Sequence, residues 1–192
     1  MGDDKIIKKN VIKDNVLENG SLYLGCTFNG EDRYKRGNLA KLLYHSKELS
    51  ESDPEYQRML SELSDYFNPR AGRKIIGLEA KLKKGNRDDL LEDAVYLENK
   101  FARLVAQNQF SKKEEVIYFH CLSSINTLFS TYIKPLIIDK VSHQEIDVAI
   151  YDRIVKPLFE EIVEFDLSIS MENIRGMLFF LTGKCHIKWS EK

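Results

Sequence analysis

The chain has 192 residues, 43% of them hydrophobic and 31% charged, which suits one domain that buries a core of its own. Its 29 Lys and Arg nearly cancel 30 Asp and Glu, for a formal net charge of −1, so no whole-chain field draws it to nucleic acid or to an anionic membrane. The longest apolar runs, Leu136-Ile137-Ile138 and Met177 to Leu181, fall far short of the roughly 20 residues that cross a bilayer, and three scattered cysteines, Cys26, Cys121 and Cys185, argue against a disulfide framework and for a reducing cytoplasm.

Asp3 and Asp4 stand where a secretory signal would carry a basic and then an apolar run, so no such signal is expected. Ile6 occupies the position where a myristoylation motif needs Ser or Thr. Residues 1–36 read as an irregular arm or connector. The pairs Ile6-Ile7, Val11-Ile12 and Val16-Leu17 are separated by polar residues and followed by Gly20, Gly25 and Gly30. Leu22-Tyr23-Leu24 could form one short strand there, and no helix is signalled. Such sparse apolar pairs form no core alone, so the arm is expected to gain order on binding.

Residues 37–192 read as a helical interaction domain, a mainly α multi-helix bundle of about seven helices. The first helix is expected behind an Asn38 cap, with Leu39, Leu42, Leu43, Ser46 and Leu49 sharing a face. Ser52-Asp53-Pro54-Glu55 opens the second, whose inner face is Tyr56, Met59, Leu60, Leu63 and Phe67 and whose stop is Asn68-Pro69. A short helix places Ile75, Leu78 and Leu82 inward and ends at Gly85, a residue able to adopt the left-handed closing conformation. From about Asp88 to Asn108, the residues Leu90, Ala94, Leu97, Phe101, Leu104 and Asn108 form a seam for a neighbouring helix, too short for a sustained coiled coil and therefore expected to pack inside the domain.

The capping box Ser111-Lys112-Lys113-Glu114 begins a helix whose apolar residues cover so much of its circumference that it is expected to be the central one. A second box, Ser142-His143-Gln144-Glu145, starts a helix that turns Ile146, Ala149, Ile150 and Ile154 inward. Pro157 is expected to kink or end it near Val155. Ile133-Lys134-Pro135-Leu136 and Val155-Lys156-Pro157-Leu158 echo one another, without enough flanking similarity to make a repeat. The last helix runs from about Met171 to Thr182, with Ile174, Met177, Leu178 and Leu181 on one face and Gly183 as its stop. Beyond it, Cys185-His186-Ile187-Lys188-Trp189 alternates apolar and polar residues, the pattern of a short extended segment anchored by Trp189.

No constellation in this sequence calls for catalysis, a cofactor or a metal. His120-Cys121 and Cys185-His186 lack the close ligand pairing of zinc sites, and neighbours on a helix diverge by about 100°. Cys121 is therefore read as a small core residue and His186 as bonded to a backbone group near the C-terminus. Gly20, Gly25 and Gly30 do not match a phosphate-cradling loop. The acid pairs Asp88-Asp89, Glu114-Glu115 and Glu160-Glu161 are read as helix-start or solvated charges. Arg33, Lys35, Arg36, Arg70, Arg73 and Lys74 cluster in expected loops and leave open a contact with a nucleic-acid backbone. Solvated loop charge is the reading favoured for them.

The segment Ile174-Arg175-Gly176-Met177-Leu178-Phe179-Phe180-Leu181-Thr182-Gly183-Lys184-Cys185-His186-Ile187-Lys188-Trp189 resembles the ending of the C-terminal domains of bacterial ABC-three-component systems, the group that includes Lamassu-type defence modules. That family closes on Met-Leu-Tyr-Phe-Leu-Thr-Gly followed by Asn-Cys-His-Ile-Arg-Trp. Phe179, Lys184 and Lys188 depart from it, and at Lys184 the Asn would better tolerate a left-handed turn. Gly77-Leu78-Glu79-Ala80-Lys81-Leu82 and Ile154-Val155-Lys156-Pro157-Leu158 also look like family features, so the similarity extends over roughly residues 53–189.

The resemblance implies a non-catalytic adaptor or assembly domain of an anti-phage or anti-plasmid system. Its partners would be an ABC or SMC-like ATPase and the system's other components, and a homo-oligomer is left open. Some 50 residues precede the similar region, too few for a nuclease, which implies a stand-alone component or an effector without its catalytic half. Gly183, Cys185, His186 and Trp189 are expected to act as a structural clasp; the alternative function is a helical nucleic-acid binder using the basic residues above.

Overall fold

Two Lys-Pro dipeptides shape two of the helical rods. The computed structural model describes residues 30–107 and 109–190, with side chains from residue 39 onward. The helices are α1 (Gly30–Glu48), α2 (Pro54–Phe67), α3 (Gly77–Lys84), α4 (Leu91–Gln107), α5 (Lys112–Leu128), α6 (Lys134–Ile138), α7 (His143–Ile150), α8 (Lys156–Ile162) and α9 (Met171–Gly183). A π-helical turn, Phe129–Ile133, joins α5 to α6, and a second, Tyr151–Val155, joins α7 to α8. The described chain therefore comprises seven helical rods and no strand.

Both π turns end immediately before a Lys-Pro pair. Proline lacks an N–H and its ring collides with the carbonyl four residues back. In each case the preceding lysine bonds five residues back instead, Lys134 N–H to Phe129 O and Lys156 N–H to Tyr151 O. The widened turn lets the rod continue through the proline rather than stop. The expected break near Val155 is thus a π turn, and the short echo in the sequence is one backbone device used twice. The first π turn packs against α7 and the second against α5, so the two rods brace each other.

The chain divides into two compact units after Ala40, and the larger is Lys41–Lys192. Within that larger unit α9, not α5, is the central helix. Ile174, Gly176, Met177, Leu178, Phe179, Phe180, Leu181 and Thr182 are all buried on it, and it packs against α3, α4, α5, α8 and the second π turn. The apolar face expected from four residues is in fact nearly a full circumference, because Phe179 and Phe180 point to opposite neighbours: Trp189 for one, Phe67 and Phe101 for the other. Ala94, Leu97 and Phe101 of the seam are buried against this helix as expected, while Asn108 lies outside the described residues. Gly176 permits the close approach, since a Cβ there would lie 2.8 Å from the Leu97 carbonyl oxygen.

Local signals read correctly where a cap is present. Asp53 accepts from Glu55 N at 2.8 Å, and both capping boxes close with reciprocal bonds. Other expectations change. The first helix begins at Gly30 rather than behind Asn38, so Arg33, Lys35 and Arg36 lie on a helix and not in a loop. Charged residues with good helical propensity continue a helix without an apolar stripe to announce it. Leu42 is 40% exposed and Ile75 61% exposed, both placed inward by periodicity alone. Gly85 is not left-handed (φ −88°); that conformation falls to Asn86, φ 54°. Leu22-Tyr23-Leu24, Gly20, Gly25 and Cys26 lie outside the described residues.

Replacing Gly176 with Ala should destabilise the fold by about 1–3 kcal/mol, because backbone rather than a pliable side chain opposes the added methyl. Urea denaturation of the two proteins measures it.

Candidate functional site

The segment after α9 folds back across the end of α2, α3 and the first π turn and is fastened by named contacts. The helix ends at Gly183; Lys184 has φ −76°, and the chain reverses at Cys185, φ 69°. The left-handed residue therefore sits two positions beyond the expected stop. A Cβ at Gly183 would meet the Glu98 carboxylate, the movable end of a side chain. His186 N and Ile187 N both bond to Leu181 O, at 2.9 and 3.2 Å, and so satisfy the carbonyl that the helix end leaves open. Cys185, Ile187 and Trp189 are buried and Lys188 is exposed, as the alternation expects, but His186 is buried as well, so the strip is covered at four of its five residues.

Trp189 is 2% exposed. Its indole N–H donates to Thr182 Oγ1 at 3.1 Å, and the Thr182 hydroxyl donates in turn to Leu178 O at 3.0 Å. Phe129 meets the ring edge-on at 5.3 Å and the Arg87 guanidinium lies 5.5 Å from its centroid. A Cβ at Gly85 would stand 2.5 Å from the Trp189 carbonyl oxygen, so this glycine is required by close approach and not by a left-handed turn.

Two cations complete the clasp. Lys81, buried on α3, donates to Thr182 O, the last turn of α9, with the Cys185 thiol 3.1 Å from its Nζ. Burial pulls its ammonium below the ordinary lysine value. Arg73 donates to Cys185 O at 2.7 Å and His186 O at 3.0 Å. Arg70 N bonds Lys184 O at 2.9 Å. The loop between α2 and α3 thus grips the C-terminal strip. Arg73 belongs to that grip, whereas Arg70 and Lys74 are exposed beside it. The side chains of Arg33, Lys35 and Arg36 lie outside the described ones.

The two Cys-His pairs separate. His186 Nε2–H donates to Asn68 O at 3.0 Å and its ring meets Tyr66 at 5.3 Å. It bonds a backbone group, as expected, but at the end of α2 and not near the C-terminus, because the strip crosses that helix end. Burial is the main cause that holds its imidazole below the ordinary value of 6.5. His120 Nε2 lies 3.0 Å from Glu161 Oε2. Glu161 is only 4% exposed, which corrects its reading as a solvated acid: it faces α5 from α8. Cys121 is fully buried, and burial pushes its thiol well above the ordinary range. Among the described residues no three His, Cys, Asp or Glu side chains gather as a metal would require.

Arg87 escaped the sequence reading. It is 1% exposed, with Nε and Nη2 bonded to Asp89 at 3.1 and 3.0 Å and Nη2 to Asp147 at 2.8 Å. A lone Arg after Gly-Asn reads as a solvated turn charge; only the Trp189 ring laid against it reveals the burial.

The model of C-terminal domain 9 of the ABC-three component (ABC-3C) systems matches residues 77–189. The chain belongs to this family. Neither the curated proteins nor the solved structures yield a match. The ABC-3C domain match opens at the first residue of α3 and closes on Trp189, so it takes in the helix that carries Lys81 and the residue that anchors the clasp. Among the described residues no helix is long and apolar enough to cross a membrane.

Two outcomes are expected. Trp189→Ala should cost about 3–5 kcal/mol, read from urea unfolding. A depressed imidazole value means the unfolded state takes up the proton more readily, so the His186 contribution is complete above about pH 6.5 and declines as pH falls below it. Glu98, whose carboxyl burial raises, titrates with the opposite sign. Melting temperatures between pH 7 and 5 should therefore fall less in His186→Gln than in the parent, with Glu98 common to both.

Proposed function

We propose that this ABC-3C domain is a non-catalytic adaptor that assembles with an ABC or SMC-like ATPase and the other components of an anti-phage or anti-plasmid system in the cytoplasm. The family match over residues 77–189 carries the reading. Membership in a three-component system supplies partners; the cations and histidine of the clasp are committed to backbone carbonyls and His120 to the buried Glu161, rather than grouped around open space.

Support also comes from the two braced rods. Tyr132, Ile138, Val148 and Tyr151 are each 45–52% exposed on or beside the π turns, and Arg153 lies 5.6 Å over the Tyr132 ring. Aromatic and arginine side chains of this kind anchor protein interfaces. The nucleic-acid reading loses a member of its basic set, since Arg73 is spent on the Cys185 and His186 carbonyls.

Co-expression with the ATPase and middle component encoded beside it should yield a complex that survives size-exclusion chromatography with light scattering. A Tyr132→Ser/Tyr151→Ser double variant should weaken that complex by at least about 2 kcal/mol, the scale of interface anchors, with its melting temperature nearly unchanged. A parent protein that stays monomeric and binds neither component contradicts the adaptor reading.

A further inference from the structure

Charge is unevenly divided over the larger unit. Residues 68–84 and 183–190 hold eight Lys and Arg and a single acid, Glu79, while the remaining residues of that unit carry 23 acids against 14 cations. The two basic segments lie against each other. Arg70 N bonds Lys184 O at 2.9 Å, the Cys185 thiol donates to Lys74 O at 3.6 Å, and Gly85 packs under the Trp189 carbonyl, next to Lys84 on one segment and Lys188 on the other. One basic face results, although the chain as a whole is nearly neutral.

Three of the eight cations are already spent: Lys81 on Thr182 O, Arg73 on the Cys185 and His186 carbonyls, and Lys83 on Glu79. Arg70, Lys74, Lys84 and Lys188 are exposed, and among the described residues their side chains form no ion pair. Ile75, adjoining Lys74, is 61% exposed. Cations gathered without carboxylates repel one another, and an incoming anionic surface relieves that repulsion while it is steered by the field. An exposed apolar residue among them is the pattern of an interface, where an apolar contact is ringed by charge.

We propose that this face docks an acidic segment of another component of the system, with an apolar side chain set on Ile75 and carboxylates against Arg70, Lys74, Lys84 and Lys188. The proposal rests on the adaptor reading above and adds a second contact to it, apart from the aromatic residues of the rods. A protein segment fits better than a nucleic acid for two reasons. The two basic segments contain one aromatic residue, Trp189, and it is buried, so no ring is offered to unstacked bases. A nucleic acid is also an extended polyanion whose charge runs on past the face toward the acidic remainder, whereas a short acidic segment ends with the face.

The test uses the complex assembled by co-expression with the ATPase and middle component, and the affinity of the purified chain for the component it contacts. A Lys74→Glu/Lys84→Glu/Lys188→Glu triple variant should keep the parent's melting temperature and bind at least about tenfold more weakly, since reversed charges now face carboxylates. The gap should narrow as salt is raised from about 0.05 to about 0.5 M. A Lys→Gln version of the same triple variant should fall between the two, and Ile75→Ser should weaken binding at every salt concentration. A complex that forms in the parent and is retained in full by the triple variant overturns this proposal and leaves the adaptor reading standing. A parent that forms no complex overturns both. Binding of a duplex oligonucleotide by the parent, lost in the triple variant while the protein complex is unchanged, assigns the face to nucleic acid and overturns the proposal.

Discussion

Sealing one indole beneath a buried guanidinium is the constraint on which the rest of the helical body depends. Trp189 is the chain's single tryptophan, and its position dictates residues far from it in sequence. Gly85 can carry no side chain because the Trp189 backbone passes over it. Thr182 must present its hydroxyl to the indole, the turn must reverse at Cys185, and Arg87 must be held by Asp89 and Asp147 so that its charge is not buried alone. The Leu-Thr-Gly, Cys-His-Ile and Trp of the family ending are thus one physical unit: helix end, reversal and anchor.

The clasp also answers a hydrogen-bonding problem. α9 is buried on nearly every side, so the carbonyls of its last turn cannot turn to water. The strip's own amides cover Leu181 O, and Lys81 covers Thr182 O. Arg73 does the same for the strip's carbonyls at Cys185 and His186. Two cations are desolvated to satisfy backbone oxygens, which ties α3 and the loop before it to the chain's far end. Tyr132 and Tyr151 stand exposed elsewhere, on the rods braced through the π turns.

How much of this was legible from residues alone follows from the range of each signal. Capping boxes and Asp53-Pro54 act within four residues, and they read correctly. Trp189 and the seam residues Ala94, Leu97 and Phe101 of α4 are buried as their spacing expects, because large apolar side chains at helical or alternating spacing leave little choice. The readings that changed depend on a neighbour no local pattern names. Gly85 and Gly183 do stand at helix ends, but neither takes the left-handed conformation, and the small size of Gly85 is required by the Trp189 backbone. Glu161 looks solvated until His120 is placed beside it, and Arg73 looks like a loop cation until two carbonyls meet it. The helix start at Gly30 was hidden because its first turns carry charge without apolar period.

Because the single tryptophan lies within the clasp, its fluorescence reports the strip and no other part of the chain, whereas far-ultraviolet circular dichroism reports the helices together. Equilibrium urea unfolding followed by both signals is the most direct test of the claim that the strip is integral to the helical body. Coincident transitions with one midpoint are predicted. A fluorescence transition complete at a urea concentration where the helical signal is still intact would show that the strip peels away by itself, and would contradict the account.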